Sequence, residues 1–336
     1  MTCPASTFAA LAGLSLLLFH ALHAGPALVL SQPPSGPKYT LQAADRWLLR
    51  SPDGHRFDAS ALLRLADGTL LTVNDKALPP CRIVMATNGT ARLVPMTNLF
   101  APAAVLAVAG RLSTALDCEG LARDDQGRIY VCEEGSRAIF RSTPGGPVER
   151  LDIDWTPVRR WFSSTDGNAS FEGIAVGGNR LYVANERSVG RIIVVDLDTL
   201  KVSDDFQVTP FGRPARDIHY SDLSWWRGEL WVLCRESRCV LRVDPTTKSV
   251  KSEFDYTGVE TAPENVYLTP LPYGFVEGLS VDDDSIWLAV DNNGLPRRLA
   301  PTDTRGLLFR CMRPDRKPGP SEGTMKRNGA PVNGTP

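Results

Sequence analysis

The stretch of sequence that decides the fold reads FEGIAVGGNRLYVANERSVGRIIVVDLDTL and occupies residues 171–200. It contains an acidic residue before glycine, an apolar run, a Gly-Gly-Asn turn, a second apolar run ending in polar residues, and a third apolar run. Short apolar runs bounded by Gly, Asn and Asp are typical of β-strands joined by tight turns. The segment therefore predicts three consecutive strands, with a further turn that leads to a fourth.

The same pattern recurs five times along the chain, about every 50 to 60 residues. The acidic residues that open the five copies are Asp58, Glu119, Glu172, Asp222 and Glu277. Repeats of this length match propeller blades rather than short solenoid turns, and four strands make one blade. We predict an all-β fold, a β-propeller of four-stranded blades, with five repeats countable and five or six blades in total. A sixth blade would combine residues 39–49 with C-terminal strands.

The chain divides into four predicted segments. Residues 1–25 contain an apolar run followed by small residues, which is typical of a signal peptide. No Lys or Arg precedes this run, so an uncleaved N-terminal anchor is the alternative. Residues 26–44 are predicted to be a linker, 45–311 the propeller, and 312–336 a disordered tail poor in apolar residues. The predicted location is secreted or periplasmic, with no transmembrane domain in the mature chain.

Composition excludes some partners and leaves the redox state open. The formal net charge of the 336 residues is −1, without the basic excess that a nucleic-acid-binding surface requires. We expect a monomer whose partner is a small anionic or polar ligand, or an envelope protein. Two cysteine pairs flank predicted turns, Cys118 with Cys132 and Cys234 with Cys239. Disulfides and free thiols are both compatible with this spacing.

The blade acids are expected to meet, because equivalent positions of the innermost strands form rings around a propeller axis. A second acidic set follows the second strand of each copy. Its members are Asp75, Glu134, Glu186, Glu236 and Asp291. Crowded carboxylates stay ionised only when a cation or hydrogen-bond donors compensate them, and oxygen-rich clusters suit Ca²⁺. The predicted metal ligands are Asp58, Glu119, Glu172, Asp222, Glu277, Glu134, Glu186 and Asp291. Alternatively, each acid fixes a turn at its blade and binds no ligand.

Basic and titratable side chains accompany the acidic sets. Lys76, Arg187 and Arg235, with Arg297 as a further candidate, recur beside the second acidic set and could face an anionic ligand. His55 and His219 each lie three residues before a blade acid. They are the predicted proton carriers, with a purely hydrogen-bonding role as the alternative. The sequence contains no G-x-S-x-G, H-E-x-x-H, Walker or G-x-G-x-x-G motif.

Three paired segments resemble the SdiA-regulated and phytase-like ("esterase-like activity of phytase") propeller families of exported bacterial proteins. The residues that carry the resemblance are Phe171-Glu172-Gly173-Ile174 with Ala184-Asn185-Glu186-Arg187, Ser221-Asp222-Leu223-Ser224 with Arg235-Glu236-Ser237-Arg238, and Val276-Glu277-Gly278-Leu279 with Asp291-Asn292-Asn293-Gly294. The resemblance covers roughly residues 45–311 and implies a propeller, export and calcium. The D-D-P-A-type motif of the true calcium-dependent phytases has no match in this chain. Phytase activity is therefore not implied.

Two functions remain open at this point. The first is a non-catalytic propeller whose acidic axial site binds a metal or a polar ligand, which the absence of a nucleophile motif favours. The second is a calcium-dependent phosphoesterase in which carboxylates hold the metal and the basic residues neutralise phosphate oxygens. Lactone hydrolysis by a calcium-bound propeller is a third possible function, and no sequence motif specifically indicates it.

Overall fold

The computed structural model describes residues 35–316 except 52, 110–115, 167–168, 188–189, 215–217 and 271–273. All of these residues lie in one compact unit of the chain. The predicted signal peptide, and the predicted tail from residue 317 onward, lie outside the described residues. None of the described helices is long and apolar enough to cross a lipid bilayer.

Two strands come first, β1 (Lys38–Thr40) and β2 (Ala43–Arg50), and five blades follow. Blade 1 contains β3 (Leu63–Arg64), β4 (Leu70–Asn74), β5 (Ala77–Met85) and β6 (Thr90–Pro95). Blade 2 contains β7 (Cys118–Arg123), β8 (Ile129–Glu133), β9 (Ala138–Ser142) and β10 (Val148–Arg150). Blade 3 contains β11 (Phe171–Gly177), β12 (Arg180–Asn185), β13 (Arg191–Asp196) and β14 (Lys201–Phe206). Blade 4 contains β15 (Tyr220–Trp226), β16 (Glu229–Cys234), β17 (Cys239–Asp244) and β18 (Ser249–Asp255).

Blade 5 joins the two ends of the described chain. Its inner three strands are β19 (Val276–Val281), β20 (Ser285–Val290) and β21 (Leu307–Met312). Its fourth strand is β2, which pairs antiparallel with β21. The same strand pairs in parallel with β6 of blade 1 and thereby connects the last blade to the first. The count is five blades, and the segment considered for a sixth supplies the outer strand of blade 5.

The segment predicted as a linker, residues 26–44, contains β1 and the first two residues of β2. Strand β1 adds to the outer edge of blade 4 by parallel pairing with β18. Among the described residues, three short helices connect blades: α1 (Pro102–Ala109), a 3₁₀ helix (Thr156–Trp161) and α2 (Thr257–Glu260). They follow blades 1, 2 and 4.

The apolar core is divided among the blade interfaces. Five clusters of buried side chains lie between blades 1 and 2, 2 and 3, 3 and 4, 4 and 5, and 5 and 1. Inner strands such as β8 and β20 are buried at every position because a neighbouring blade covers each face. The closure between blades 5 and 1 includes stacked Trp47 and Trp287. Burial at five interfaces stabilises the ring and fixes the inner strands around its axis.

Tight turns allow each blade to reverse direction. Between β15 and β16 only Arg227 and Gly228 separate the paired residues Trp226 and Glu229, and both have positive φ, 50° and 79°. This is the two-residue hairpin turn whose twist matches that of the flanking strands. The Gly-Gly-Asn turn noted in the sequence likewise forms a hairpin, because Gly177 pairs with Arg180 between β11 and β12.

Candidate functional site

A β-bulge opens the innermost strand in four of the five blades. In each case one residue is skipped in the pairing with the next strand. The skipped residues are Glu119 in blade 2, Glu172 in blade 3, Ser221 in blade 4 and Glu277 in blade 5. Bulges re-aim a side chain away from the regular pleat. Three blade acids therefore occupy equivalent positions, and blade 4 places a serine there.

A second set of equivalent residues is defined by one backbone hydrogen bond per blade. The five N–H to carbonyl pairs are Asp75 to Asp58, Glu134 to Asp117, Glu186 to Ser170, Arg235 to His219, and Asp291 to Phe275. By this criterion Asp58 corresponds to Asp117 rather than to Glu119. Likewise Arg235, and not Glu236, takes the place of the second-set acid in blade 4.

The five blade acids thus do not form the single ring that the repeat predicted. Glu119, Glu172 and Glu277 are equivalent, Asp58 lies two positions earlier in its blade, and Asp222 lies one position later. A shift of one residue in a strand sends the side chain in the opposite direction. Asp222 consequently corresponds to the glycine that follows the acid in blades 2, 3 and 5.

Asp222 sits where the inner strands approach most closely. A Cβ atom added to Gly173 would lie 2.4 Å from the Asp222 Cα. The Asp222 carboxylate is fully buried and accepts backbone N–H bonds from Leu279 (2.7 Å), Leu223 (2.8 Å) and Leu62 (3.3 Å). Burial raises the pKa of Asp222 well above its usual value, whereas the three amides lower it. The side chain connects blades 4, 5 and 1 at the axis.

Apart from Asp58, the remaining predicted acids line one cavity of about 640 Å³ at one end of the axis. Its charged residues are nine carboxylates, three permanent cations and one histidine. They are Asp75, Asp117, Glu119, Glu134, Glu172, Glu186, Glu236, Glu277, Asp291, Lys76, Arg187, Arg235 and His219. Asp58 contacts this set through Asp75 and Asp291. The cavity is therefore strongly acidic at neutral pH unless protons or cations compensate it.

The three predicted basic residues are all present in the cavity, and each pairs with carboxylates. Lys76 Nζ lies 2.6 Å from Asp117 Oδ1 and 2.8 Å from Asp75 Oδ2. Arg187 contacts Glu186 and lies 3.2 Å from Asp166. Their positive charge is thus already used to balance part of the acidic set.

Arg235 is the cation that blade 4 contributes to the cavity. It contacts Glu277 directly and lies 3.3 Å from Glu186 Oε1. Arg297, the fourth basic candidate, pairs instead with Asp303 outside the cavity.

The two predicted histidines are separated. His219 is buried in the cavity, where Nε2 contacts Glu186 and Nδ1 lies 3.1 Å from Glu236. His55 is exposed and lines a different hollow of about 270 Å³ with Arg50 and Thr304. Their matching spacing to Asp58 and Asp222 does not bring them together, because those two acids are not equivalent.

Within the described part of the chain, three groups of carboxylate oxygens are close enough to share a cation. They are Asp58–Asp75–Asp291, Asp75–Asp117–Glu119 and Glu134–Glu172–Glu186, with the oxygens of each group within 4.8 Å of one another. Each group lies where two neighbouring blades meet. They bring together carboxylates from blades 5 and 1, 1 and 2, and 2 and 3.

Two of these oxygens are buried without a hydrogen-bond partner among the described residues, namely Asp75 Oδ1 and Glu134 Oε1. The two residues are only 6% and 5% exposed. A buried carboxylate oxygen without a donor is costly. A proton, an ordered water or a cation would each satisfy these two oxygens.

Burial and mutual repulsion shift the proton affinities of the cavity carboxyls upward. Burial raises the pKa of Glu134 to about 8, with Asp117 and Glu186 adding repulsion. Burial likewise raises the pKa of Asp291 to about 8, with Asp58 contributing. The pKa values of Glu119 and Glu172 lie well above the usual range for the same two reasons. Without a cation the folded cavity holds protons that the unfolded chain releases.

This proton uptake makes the metal-free protein less stable as the pH rises. The folded state binds more protons than the unfolded state between the ordinary carboxyl pKa and about pH 8, so the free energy of unfolding falls through that window. Each such carboxyl contributes a loss of about 1.4 kcal/mol per pH unit. We expect the unfolding temperature in EDTA to fall from about pH 6 to about pH 8, with a smaller slope for Glu134→Gln. A midpoint in EDTA that rises over this range would contradict the shifts.

Asp117 lines the cavity and lies 2.6 Å from Lys76, but it was not among the predicted metal ligands. Two signals were present in the sequence. Asp117 precedes Glu119 by two residues, which places both side chains on the same side of a strand. Aligning the repeats on the leucine or isoleucine after the acid, at Leu62, Leu121, Ile174, Leu223 and Leu279, also gives the register that the structure shows.

Comparison with known proteins identifies the family. The profile of the Phytase-like family, described as esterase-like activity of phytase, matches residues 57–294. The chain belongs to this family, which confirms the phytase-like part of the predicted resemblance; the match does not extend to the SdiA-regulated name. Comparison with curated protein sequences gives no match.

Similar solved structures are propellers. The glutaminyl cyclase of Myxococcus xanthus aligns with a TM-score of 0.55 and 14% identity over 82% of this chain and 97% of that chain. The virginiamycin B lyase of Staphylococcus aureus aligns with a TM-score of 0.38 and 16% identity over 77% of this chain and 71% of that chain. At such identity the first similarity supports the fold alone, and the second carries no further conclusion.

Proposed function

We propose that this chain is an exported phytase-like propeller whose axial cavity binds a divalent cation, calcium, in a non-catalytic role. The observation that carries the proposal is the pair of buried oxygens without donors, Asp75 Oδ1 and Glu134 Oε1, in a cavity of nine carboxylates and three permanent cations. A divalent ion would supply both the missing partner and the missing charge. Export rests on the apolar run in residues 1–25, and the monomeric state is proposed with it.

The donor set fits calcium in its chemistry. The candidate groups offer only carboxylate oxygens, which are hard ligands. No cysteine lines the cavity within the described residues, so the soft ligands that select zinc are missing there. Calcium accepts six to eight oxygens in flexible geometry, whereas magnesium requires a compact octahedron. We assign Asp75, Asp117, Glu119, Glu134, Glu172 and Glu186 as the residues that would hold the ion, flanked by Asp58 and Asp291.

Two predicted ligands are set apart by their contacts. Glu277 is engaged by Arg235, and both Asp222 oxygens accept backbone amides. We therefore propose a structural role for these two predicted ligands and a metal-binding role for the other six.

Thermal unfolding tests the proposal. The full chain, stripped with EDTA and desalted, is expected to unfold at a higher temperature when calcium is added. At calcium about 100 times its dissociation constant, binding to the folded state alone adds about 2.7 kcal/mol, which corresponds to a rise of about 3–8 °C for a chain of this size. Sodium chloride at the same ionic strength, and therefore at about three times the molar concentration of the calcium chloride, is the control. An unchanged midpoint over the whole calcium titration would contradict the proposal.

A second candidate function is hydrolysis of a phosphate ester at the same cavity. The observation that favours it is the presence of Lys76, Arg187, Arg235 and His219 beside the carboxylate groups. A bound divalent ion would polarise phosphate oxygens. The side chain of Lys76 is 61% exposed and could approach an anion. His219 could hold a proton. The small anionic or polar ligand proposed as partner fits the same residues, with an envelope protein as the alternative partner.

A phosphomonoesterase assay on the same calcium-loaded samples separates the two functions. The binding proposal predicts no turnover above buffer. Turnover that needs calcium and that Glu134→Gln abolishes would establish the esterase instead. Turnover that survives EDTA and Glu134→Gln would come from another site or from a contaminant.

A further inference from the structure

A pair of cysteines closes the hairpin between β16 and β17. Cys234 is the last residue of β16, Cys239 is the first residue of β17, and the two are register partners. The two residues are 2% and 1% exposed. Both belong to the apolar cluster between blades 3 and 4, so they point to the same face of the sheet.

The backbone geometry of this pair suits a covalent bridge. Directly opposed residues in antiparallel strands have Cα atoms about 4.5–5.5 Å apart. Disulfides span Cα separations of about 4.4–6.8 Å. The two thiols also interact, because contact with Cys234 is the largest cause that raises the pKa of Cys239, ahead of burial.

The other described cysteines lack such a partner. In the pairing register Cys118 faces Glu133 and Cys132 faces Gly120. Cys81 lies opposite Thr72 and Pro95, and Cys311 lies opposite Ile286 and Ala43. Cys234 and Cys239 are therefore the one pair of cysteines that the described strands place directly opposite each other.

We propose that Cys234 and Cys239 are a site of thiol–disulfide exchange. They react with a low-molecular-weight disulfide such as oxidised glutathione, and the product is a cross-strand disulfide between the two cysteines. One protein thiolate attacks the small disulfide, forms a mixed disulfide and releases one glutathione thiol. The second protein thiolate then attacks the mixed disulfide, forms the intramolecular bond and releases the second glutathione thiol. Two protein thiols are oxidised, one small disulfide is reduced, and the two thiol protons pass to the released thiols.

The bridge would fix the turn that reaches the acidic cavity. Residues 235–238 connect the two cysteines, and the Arg238 N–H donates to the Arg235 carbonyl at 3.0 Å across this turn. Arg235 and Glu236 line the cavity. The oxidised form therefore holds in place the hairpin that contributes the central cation of the site, and this inference does not depend on calcium binding.

Refolding tests the proposal without being limited by burial of the thiols. The full chain is unfolded under reducing conditions and refolded in a buffer of oxidised and reduced glutathione, and the remaining thiols are then alkylated. Trypsin cleaves after Arg227, Arg235, Arg238 and Arg242 and separates peptide 228–235, which carries Cys234, from peptide 239–242, which carries Cys239. Mass spectrometry is expected to find these two peptides linked, with the loss of two hydrogens.

The wild-type chain alone shows whether Cys234 and Cys239 form a disulfide. Alkylated Cys234 and Cys239 in the refolded protein, or a bridge from either one to another cysteine, would overturn the proposal. Cys311→Ser is expected to retain the linked peptides and Cys239→Ser to lose them. A failure of Cys239→Ser to fold leaves the wild-type result decisive.

Discussion

The substitution Asp222→Ala is expected to lower the free energy of unfolding by about 3–9 kcal/mol, because it leaves three buried amides without an acceptor at about 1–3 kcal/mol each. The amides belong to Leu62, Leu223 and Leu279, so the loss affects blades 1, 4 and 5 together. Such a loss is a large part of a typical domain's stability. Chemical denaturation of the full chain measures it.

The neighbouring residue offers a matched control. Ser221 is equally buried and donates one long hydrogen bond, 3.4 Å, to the Val276 carbonyl. Ser221→Ala is expected to cost about 1 kcal/mol, and Asp222→Asn to fall between the two alanine variants because one acceptor oxygen remains. An Asp222→Ala variant as stable as Ser221→Ala would show that the axial carboxylate does not connect the blades.

The substitution Glu134→Gln is expected to weaken calcium binding by at least about 10- to 100-fold. Losing an outer partner of a metal ligand typically costs this much, and losing a ligand is expected to cost no less. Glu134 supplies one of the two buried oxygens without a donor. Its replacement also removes repulsion from Asp117 and Glu186, so the metal-free variant is expected to be at least as stable as the wild type. Calorimetric titration and unfolding in EDTA measure the two effects.

Glu133→Gln is the matched control for this variant. Glu133 is adjacent in sequence and similarly buried, and its Oε2 accepts a hydrogen bond from the Ser136 N–H at 2.8 Å instead of lining the cavity. The variant is expected to bind calcium as the wild type does. Equal affinities for Glu134→Gln and the wild type would remove Glu134 from the site, and a metal-free Glu134→Gln variant that is unfolded would indicate a structural role instead.

The sequence was sufficient to predict the propeller because its signals are local. Hairpin turns and apolar runs recur within each blade, and the three strands predicted in residues 171–200 coincide with β11, β12 and β13. The blade count stayed open because the fifth blade is completed by β2, which pairs with β21 about 260 residues away. Pairing between distant segments leaves no periodic signal in a single sequence.

The candidate site was predicted in composition but not in register. Most of the chosen acids and all three main basic residues line one cavity, whereas Asp58, Asp222 and His55 do not. The error came from aligning repeats on the acid instead of the following leucine. In blade 4 this moved the alignment from Ser221 to Asp222, and in blade 1 from Ser60 to Asp58. The bulge and the inter-strand hydrogen bonds that fix the register are properties of the folded blade.

The measurement that tests the central claim most directly is a calorimetric titration of the EDTA-treated full chain with calcium chloride at neutral pH. Saturable binding together with release of protons is expected, because carboxyl groups with raised pKa values must ionise to hold the cation. Repeating the titration in buffers of different ionisation enthalpy measures that release. Titrations that show no saturable heat would contradict the account, and the acidic cavity would then be a protonated structural cluster.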